Sequence, residues 1–414
     1  MTSSPNLAIR LSPNALKHVR QGHPWVFDGG IESVRGGRYG DGTGEPGDVA
    51  VIFDDRRRFV AVGLWDPRSP IRIKVLHAAS PVTVGADLWH DRLAHALAHR
   101  WELLGSADTD ALRIVHGEND RLPGLVLDLY RTVAVLKLYS AAWVPHLDEV
   151  LGVIHSTIWS IDGIVLRLAR SVAADPTVRE ADLADGAVIH GVVPDRLVEF
   201  REHGLRFTAD VRRGQKTGWF LDQRDNRDRV HALADGATVL DVFCCGGGFS
   251  VHAAAGGARH VHSVDRSPHA IDDTVRHLSM NRDIPGVVAV DARQTVGDAF
   301  EVMDDLRRAG DRYDLVIVDP PSFASRRSDV RGALQAYAAL TTRAVELVVP
   351  GGTLVQASCS SRVHPDDFTT IVEKAAGRAR VHLEVFDRTA QPIDHPVGFP
   401  EGRYLKAVYA RVNP

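Results

Sequence analysis

Cysteine is scarce in this chain: Cys244, Cys245 and Cys359 are the only three in 414 residues. Two are adjacent and the total is odd, so neither a disulfide framework nor a zinc knuckle is expected, and no metal site. A reducing, cytoplasmic compartment fits this usage. Long apolar runs are missing as well. None approaches the roughly 20 residues needed to span a bilayer, so no membrane partner is expected. The opening Met1-Thr2-Ser3-Ser4-Pro5-Asn6 has no basic stretch leading into an apolar one, unlike a secretory signal. There is no large charge excess either. Lys and Arg number 49 against 53 Asp and Glu, a formal net charge of −4, which argues against a non-specific nucleic-acid binder. Locally, residues 1–80 hold eleven Lys/Arg against eight Asp/Glu, and residues 201–230 hold eight against five, including Arg212, Arg213 and Lys216. Taken alone, such modest patches read as solvated faces.

What is present divides the chain into three. Its length exceeds one ordinary core. Residues 1–78 carry short β segments (Leu7–Leu11, Asp48–Phe53, Phe59–Leu64, Ile71–Val75) between Gly- and Asp-rich turns, with a mobile loop expected over Gly36–Gly47. That punctuation predicts a small β-barrel. Residues 79–195 predict a central α+β domain, with helices near Leu88–Leu104 and Trp143–Ile158 and strands at Gly124–Leu129, Val133–Leu138 and Gly163–Arg167. From residue 196 a hairpin (Val198–Thr208) leads into alternating strands and helices. The strands are read at Thr238–Val242, His260–Asp265, Val287–Asp291, Leu315–Asp319 and Thr353–Ala357. This βαβ alternation predicts an α/β, Rossmann-like, doubly wound parallel sheet over residues 196–414.

Four of those five strands end in Asp or run straight into one, at the edge where open α/β sheets bind ligands. The first leads into Asp241-Val242-Phe243-Cys244-Cys245-Gly246-Gly247-Gly248-Phe249-Ser250. Glycines let the backbone turn and approach a ligand, and the following helix N-terminus suits a carboxylate. The G-x-G-x-x-G spacing of dinucleotide sites is absent. Asp265, followed by Arg266, lies 24 residues after Asp241 and suits a ribose diol. Asp291-Ala292 suits an adenine amine. Ribose and adenine contacts without a pyrophosphate fingerprint point to S-adenosyl-L-methionine rather than NAD. Any one of these Asp residues could simply be a helix cap; the ordered set is what argues for a cofactor.

The fourth strand ends in Asp319-Pro320-Pro321-Ser322-Phe323, which resembles motif IV of class I methyltransferases that act on nucleobases. Pro320 and Pro321 fix the loop, Asp319 can hydrogen-bond a base edge, and Phe323 can stack on it. The fifth strand runs into Ser358-Cys359-Ser360, which should face the same cavity. That pairing has a chemical meaning. Carbon 5 of a pyrimidine is a poor nucleophile until a thiolate adds to carbon 6. Cys359 is then the nucleophile, and Asp319 supplies an acid or hydrogen bond at N3. A buried, inert Cys359 is the plain alternative, but its place just past a strand end, among serines, argues against it. Cys244 and Cys245 read as packing beside the cofactor.

Several long segments resemble the bacterial 23S rRNA (cytosine-C5) methyltransferase family. They are Gly214–Arg227 (GQKTGWFLDQRDNR), Asp319–Phe323, Ser358-Cys359-Ser360, the tail Asp394-His395-Pro396 with Phe399–Lys406, Gly22–Phe27 (GHPWVF) and His116–Gly124. The resemblance spans nearly the whole chain. It implies an N-terminal PUA domain, a central domain and a class I methyltransferase domain. It also implies 23S rRNA as partner, naked or within a pre-ribosomal particle, and leaves a homodimer open. Gln223 and Arg224 become candidate contacts to the methionine moiety beside Asp241, Phe243, Gly246, Gly247, Phe249, Asp265 and Asp319, and Cys359 becomes the family's nucleophile. Lys216 joins Pro320, Pro321 and Phe323 as a candidate substrate contact. The chain departs from the family at Cys244-Cys245-Gly246-Gly247-Gly248, where relatives commonly carry Ser-Tyr-Thr-Gly-Gly. Two other readings remain. One is an rRNA guanine methyltransferase on the same scaffold, which would need no Cys359. The other is a non-catalytic RNA-binding protein with a degenerate cofactor loop.

Overall fold

A computed structural model of the chain describes residues 6–37, 42–158, 160–195, 197–324 and 326–413. Part of the expected mobile loop, residues 38–41, lies outside the described residues. Packing divides the chain into two compact units, each assembled from three stretches. The first is Met1–Phe200, Thr208–Leu221 and Ile393–Phe399. The second is Arg201–Phe207, Asp222–Pro392 and Pro400–Pro414.

The first unit holds two sheets. One contains β1 (Leu7–Leu11), β2 (Trp25–Phe27), β3 (Ile31–Gly36), β4 (Val49–Phe53), β5 (Phe59–Trp65) and β6 (Ile71–Ala78), in the order β2-β6-β5-β4-β1-β3. In β1, Leu7, Ile9 and Leu11 point into the core and alternate with exposed residues, the period of two that a half-buried strand requires. The helix α1 (Pro13–Arg20) starts where Ser12 Oγ accepts from the Ala15 N–H at 3.4 Å and Pro13 occupies the first turn, a favourable start on both counts.

The second sheet follows α2 (Ala86–His99) and α3 (Trp101–Leu104). It comprises β7 (Ala111–His116), β8 (Leu125–Tyr130), β9 (Val133–Leu138), β10 (Gly163–Leu168) and β11 (Val188–Gly191), in the order β11-β10-β9-β8-β7. The helices α4 (Leu147–Thr157), α5 (Arg170–Ala173) and α6 (Pro176–Glu180) complete it. Strands β8 and β10 are buried along their full length, which explains their unbroken apolar sequences. The edge strands β7 and β11 were not anticipated from the sequence. Polar ties join the two sheets. Arg68 grips Asp175 with two bonds of 2.7 Å, and Ser140 Oγ donates to Asp66 at 2.5 Å.

The hairpin of β12 (Val198–Glu202) and β13 (Leu205–Ala209) precedes the seven-stranded sheet. Then come α7 (Arg224–Leu233), β14 (Thr238–Val242), α8 (Gly248–Ala255), β15 (His260–Asp265), α9 (Pro268–Met280), α10 (Pro285–Ala289), β16 (Asp291–Val296), α11 (Ala299–Ala309) and β17 (Tyr313–Val318). The chain ends through α12 (Val330–Leu347), β18 (Val348–Ser358), α13 (Pro365–Arg378), β19 (His382–Thr389) and β20 (Lys406–Asn413). The order is β16-β15-β14-β17-β18-β20-β19. The first five strands are parallel, and β20 inserts antiparallel between β18 and β19. The strand order reverses between β14 and β17, which opens a crevice at their carboxyl ends. Below it, the buried Glu202 takes two bonds of 2.6 Å from Arg227 and one contact of 3.2 Å from His252.

One expected strand is corrected. Val287–Ala289 belongs to the short helix α10, with Pro285 in its first turn, and the third strand of the sheet is Asp291–Val296. A short apolar run cannot by itself separate helix from strand. The consequence is large, because Asp291 now opens its strand instead of closing it.

Candidate active site

The loop after β14 is built around backbone that few side chains tolerate. Phe243, Cys245 and Gly247 have φ of +66°, +49° and +73°. Each non-glycine in this region costs roughly 1–2 kcal/mol, and such strain gathers at ligand loops. A Cβ on Gly247 would fall 2.5 Å from Thr274 Cγ2, so glycine is required there for space as well as conformation. Helix α9 holds the loop from behind: Thr274 Oγ1 donates to the Cys245 carbonyl at 3.2 Å, and His277 Nδ1 lies 2.7 Å from the Gly246 carbonyl. Alternating left-handed residues turn successive N–H groups to one side, and α8 begins immediately after, at Gly248. Burial pushes the Cys245 thiol up to about 11 and the Cys244 thiol higher still. Both are neutral thiols that pack, and Cys244 Sγ lies 3.8 Å from Thr274 Oγ1.

Three carboxylates converge at the same edge. Asp241 is fully buried. Its Oδ2 accepts from Ser250 at 2.6 Å, and its Oδ1 has no hydrogen-bond partner. Burial pushes its pKa up to about 7; the Ser250 hydroxyl opposes this, and the charges of Asp319 and Asp265 add to it. Asp265, at the end of β15, accepts from the N–H groups of Cys245 at 3.0 Å and Ser267 at 2.9 Å. Asp319 follows β17, and its Oδ2 accepts from Gln223 Nε2 at 2.9 Å. Behind Gln223 runs a buried chain. Asn226 Nδ2 donates to Gln223 Oε1 at 2.5 Å, while Tyr409 and Thr389 donate to Asn226 Oδ1 at 3.0 and 2.6 Å. Gln223 therefore orients Asp319, a role that spacing alone did not reveal. Arg224 beside it is buried, with Nε 3.3 Å from Asp225.

The fourth and fifth strand ends meet through hydroxyls. Ser322 Oγ lies 3.1 Å from Ser360 Oγ, which also accepts from the Ala324 N–H at 3.4 Å and contacts Tyr337 OH at 2.9 Å. Ser358 Oγ donates to the same phenol at 2.8 Å. Cys359 sits half-buried between these two anchored serines. Pro320 is buried and Pro321 exposed. Phe323 packs on Tyr337 with ring centroids 5.1 Å apart, so this face of the ring is taken by the core.

The second unit thus supplies Gln223, Arg224, Asp241, Phe243, Gly246, Gly247, Phe249, Asp265, Arg266, Asp319, Pro320, Pro321, Phe323 and Cys359. Asp291 and Ala292 do not join them. Asp291 pairs with His260, the first residue of β15, and its Oδ2 lies 2.9 Å from His260 Nδ1, at the amino edge of the sheet. The first acid past the carboxyl end of β16 is Asp298, two residues beyond Val296, whose Oδ1 caps α11 by accepting from Phe300 and Glu301 N–H at 2.9 and 3.4 Å. A Gly-Asp pair before a helical stretch was the available signal. Lys216 belongs to the first unit, where its ammonium lies 4.4 Å from the centroid of the Phe220 ring.

Other singled-out segments come together in that first unit. Trp25 Nε1 donates to Glu118 at 2.8 Å, the Gly398 N–H donates to Asn119 at 2.6 Å, and the Trp25 and Phe399 rings lie 5.0 Å apart. Arg100 is buried against Asp120 at 2.7 Å and donates to the Asp394 carbonyl at 2.9 Å.

The residues of the second unit fit the expected cofactor. An orphaned carboxylate oxygen, two further acids, a glycine that must stay side-chain-free and a helix N-terminus match a ligand with a sulfonium, an ammonium, a ribose diol and a carboxylate. Comparison with known proteins agrees. Residues 189–411 match the S-adenosylmethionine-dependent methyltransferase family, and residues 9–78 match the PUA-like domain. The chain is 42% identical to a ribosomal RNA large subunit methyltransferase of Deinococcus radiodurans, over 100% of this chain and 99% of that protein. It is 33% identical to the ribosomal RNA large subunit methyltransferase I of Shewanella amazonensis, over 98% and 100%. A solved Streptococcus mutans structure, described as a SAM-dependent methyltransferase, shares the fold with a TM-score of 0.80 at 21% identity, covering 98% of this chain and 99% of that one. The chain therefore belongs to the S-adenosylmethionine-dependent methyltransferase family, and it carries a PUA-like domain at its N-terminal end.

Proposed function

We propose that this protein methylates carbon 5 of a cytosine in 23S rRNA, in the cytoplasm, through a covalent adduct on Cys359. The observation that carries the reading is the junction of the two loops. Asp319 and Cys359 follow neighbouring parallel strands, with Val318 opposite Gln356, and the Ser322–Ser360 contact of 3.1 Å holds their loops together. The large-subunit rRNA relatives support RNA as the substrate. In this reading residues 1–78 engage RNA, 79–195 form a connecting domain, and 196–414 perform the chemistry.

The cofactor supplies an electrophilic methyl group on a sulfonium. Asp241, Asp265 and the 243–247 loop would hold its polar groups, and Asp298 would be available to its base. The Cys359 thiolate adds to carbon 6, and the electrons of the C5–C6 double bond make carbon 5 nucleophilic. Carbon 5 would then accept the methyl group, with the methyl–sulfur bonding pair staying on the cofactor's sulfur. Transfer of the C5 proton to solvent water would return the C–H electrons to the ring and expel the thiolate. Asp319, oriented by Gln223, takes up a proton as the base binds and donates it in a hydrogen bond to N3, where it offsets the negative charge that develops in the ring.

Mapping of methylated nucleosides by mass spectrometry in rRNA from a deletion strain and its complement tests the assignment. Loss and return of one 5-methylcytidine supports it. Loss of a methylguanosine instead would transfer the reading to the guanine enzymes.

A further inference from the structure

Lys406 opens β20 directly opposite Ser358 on β18, with the two paired across the antiparallel ladder. Its side chain is 4% exposed. The ammonium donates to the carbonyls of Ser360 at 2.5 Å, Val363 at 2.8 Å and Tyr404 at 3.1 Å. All three N–H bonds are thereby used, and none meets a carboxylate. A buried cation normally requires a counter-ion. The chain itself supplies the contrast: the equally buried Lys74 meets Asp66 at 3.0 Å. Both neighbours of Cys359 are tied to Lys406, Ser358 across the ladder and Ser360 through its carbonyl. Burial pushes the Lys406 ammonium down to about 8, and the charge that pulls it back up is that of Cys359.

The other titratable groups described around the turn are not buried cations. Tyr337, from α12, is held neutral by burial, against the opposing hydroxyl bonds of Ser358 and Ser360. Asp319, after β17, is acidic and disfavours a thiolate nearby. Tyr404 donates its hydroxyl to Asp222 at 2.7 Å. Arg362 and His364 stand exposed on the turn that follows.

We propose that Lys406 is a positioning residue whose buried ammonium is the counter-ion of the Cys359 thiolate. The role in catalysis rests on the reading of Cys359 as nucleophile; the ion pair itself does not. No proton passes to or from Lys406. The ammonium keeps its three bonds while sulfur loses its charge on adding to carbon 6 and regains it on expulsion.

The test is the pH dependence of Cys359 alkylation by iodoacetamide in the full chain, followed by peptide mass spectrometry without RNA. In Lys406→Met the midpoint should rise by about one pH unit or more, an alkylation rate about tenfold lower at pH 7. Lys406→Arg, which keeps the charge, should hold the midpoint near wild type. An unchanged midpoint in a Lys406→Met protein that still binds S-adenosylmethionine would overturn the proposal. If that variant does not fold, the reciprocal measurement decides. In Cys359→Ala, the Lys406 titration followed by NMR of 13C-labelled lysine should move to lower pH, and no movement overturns the proposal. Full methyl transfer by Cys359→Ala would sink the functional reading while leaving the ion pair standing.

Discussion

Ser322 Oγ and Ser360 Oγ stand 3.1 Å apart, and this hydroxyl pair joins the loop of Asp319 to the turn of Cys359. Ser360 is fully buried and also serves Tyr337 and the Ala324 N–H. Ser360→Ala removes the acceptor of the buried Ala324 N–H and leaves Tyr337 with only its Ser358 bond, at a cost of about 1–3 kcal/mol. The expected outcome is a lower melting temperature and a methyl-transfer rate reduced by about tenfold or more, since small misplacements of reacting groups are expensive. Cofactor affinity should not move, and single-turnover kinetics with parallel calorimetry checks both.

Asp241 links cofactor affinity to pH. Burial holds its pKa near 7, so below pH 7 the free protein carries the carboxyl protonated. A cationic ligand favours the ionised form, and binding must then release a proton. Affinity for S-adenosylmethionine should therefore fall as pH drops below 7, by about tenfold per pH unit at the limit. Asp241→Asn should flatten the profile. Calorimetry in buffers of different ionisation enthalpy would expose the proton directly.

The corrected third strand makes opposite forecasts for two acids. Asp298→Ala removes the carboxylate at the carboxyl end of β16 together with the cap of α11, costing about 1 kcal/mol of stability and weakening cofactor binding. Asp291→Ala acts at the amino edge and should leave cofactor affinity at the wild-type value. A titration in which Asp291→Ala is the weaker binder would reverse the placement.

Glu202, Arg227 and His252 form a buried charged cluster. Burial works against the Glu202 carboxylate, but the Arg227 and His252 interactions overcome it and hold its pKa well below the usual range. Its contribution is present above the unfolded value near 4.5 and disappears as pH falls toward the folded one. Glu202→Ala removes the carboxylate that receives two bonds from the buried Arg227, and a loss of about 3–5 kcal/mol is expected. Urea unfolding at pH 7 measures it. A loss below 1 kcal/mol would mean that water or another group reaches Arg227.

The sequence was informative wherever a pattern had local causes. The strands Val133–Leu138, Thr238–Val242 and His260–Asp265 have the boundaries their apolar runs predict. Asp241, Asp265 and Asp319 stand at one sheet edge because parallel strands bring their ends together whatever the loops between them. Non-local causes stayed hidden. Val287-Val288 looks like a strand, yet Val288 is 65% exposed on a one-turn helix. Nothing near Lys406 in sequence shows that its ammonium is buried among carbonyls. The bond from Gln223 to Asp319 spans 96 residues.

Neither compact unit is a continuous length of chain, and this bears on how the protein is made. The first unit needs Ile393–Phe399, which is made only after residues 222–392. Until Asp394 arrives, the Arg113 N–H lacks the Asp394 carboxylate that receives it at 2.9 Å, and Arg100 lacks the Asp394 carbonyl. The N-terminal half therefore emerges with its polar interior unfinished. Residues 222–392, the bulk of the second unit, are translated before the piece that completes the first. A fragment ending at Phe200 should accordingly be less stable than the same residues within the full chain.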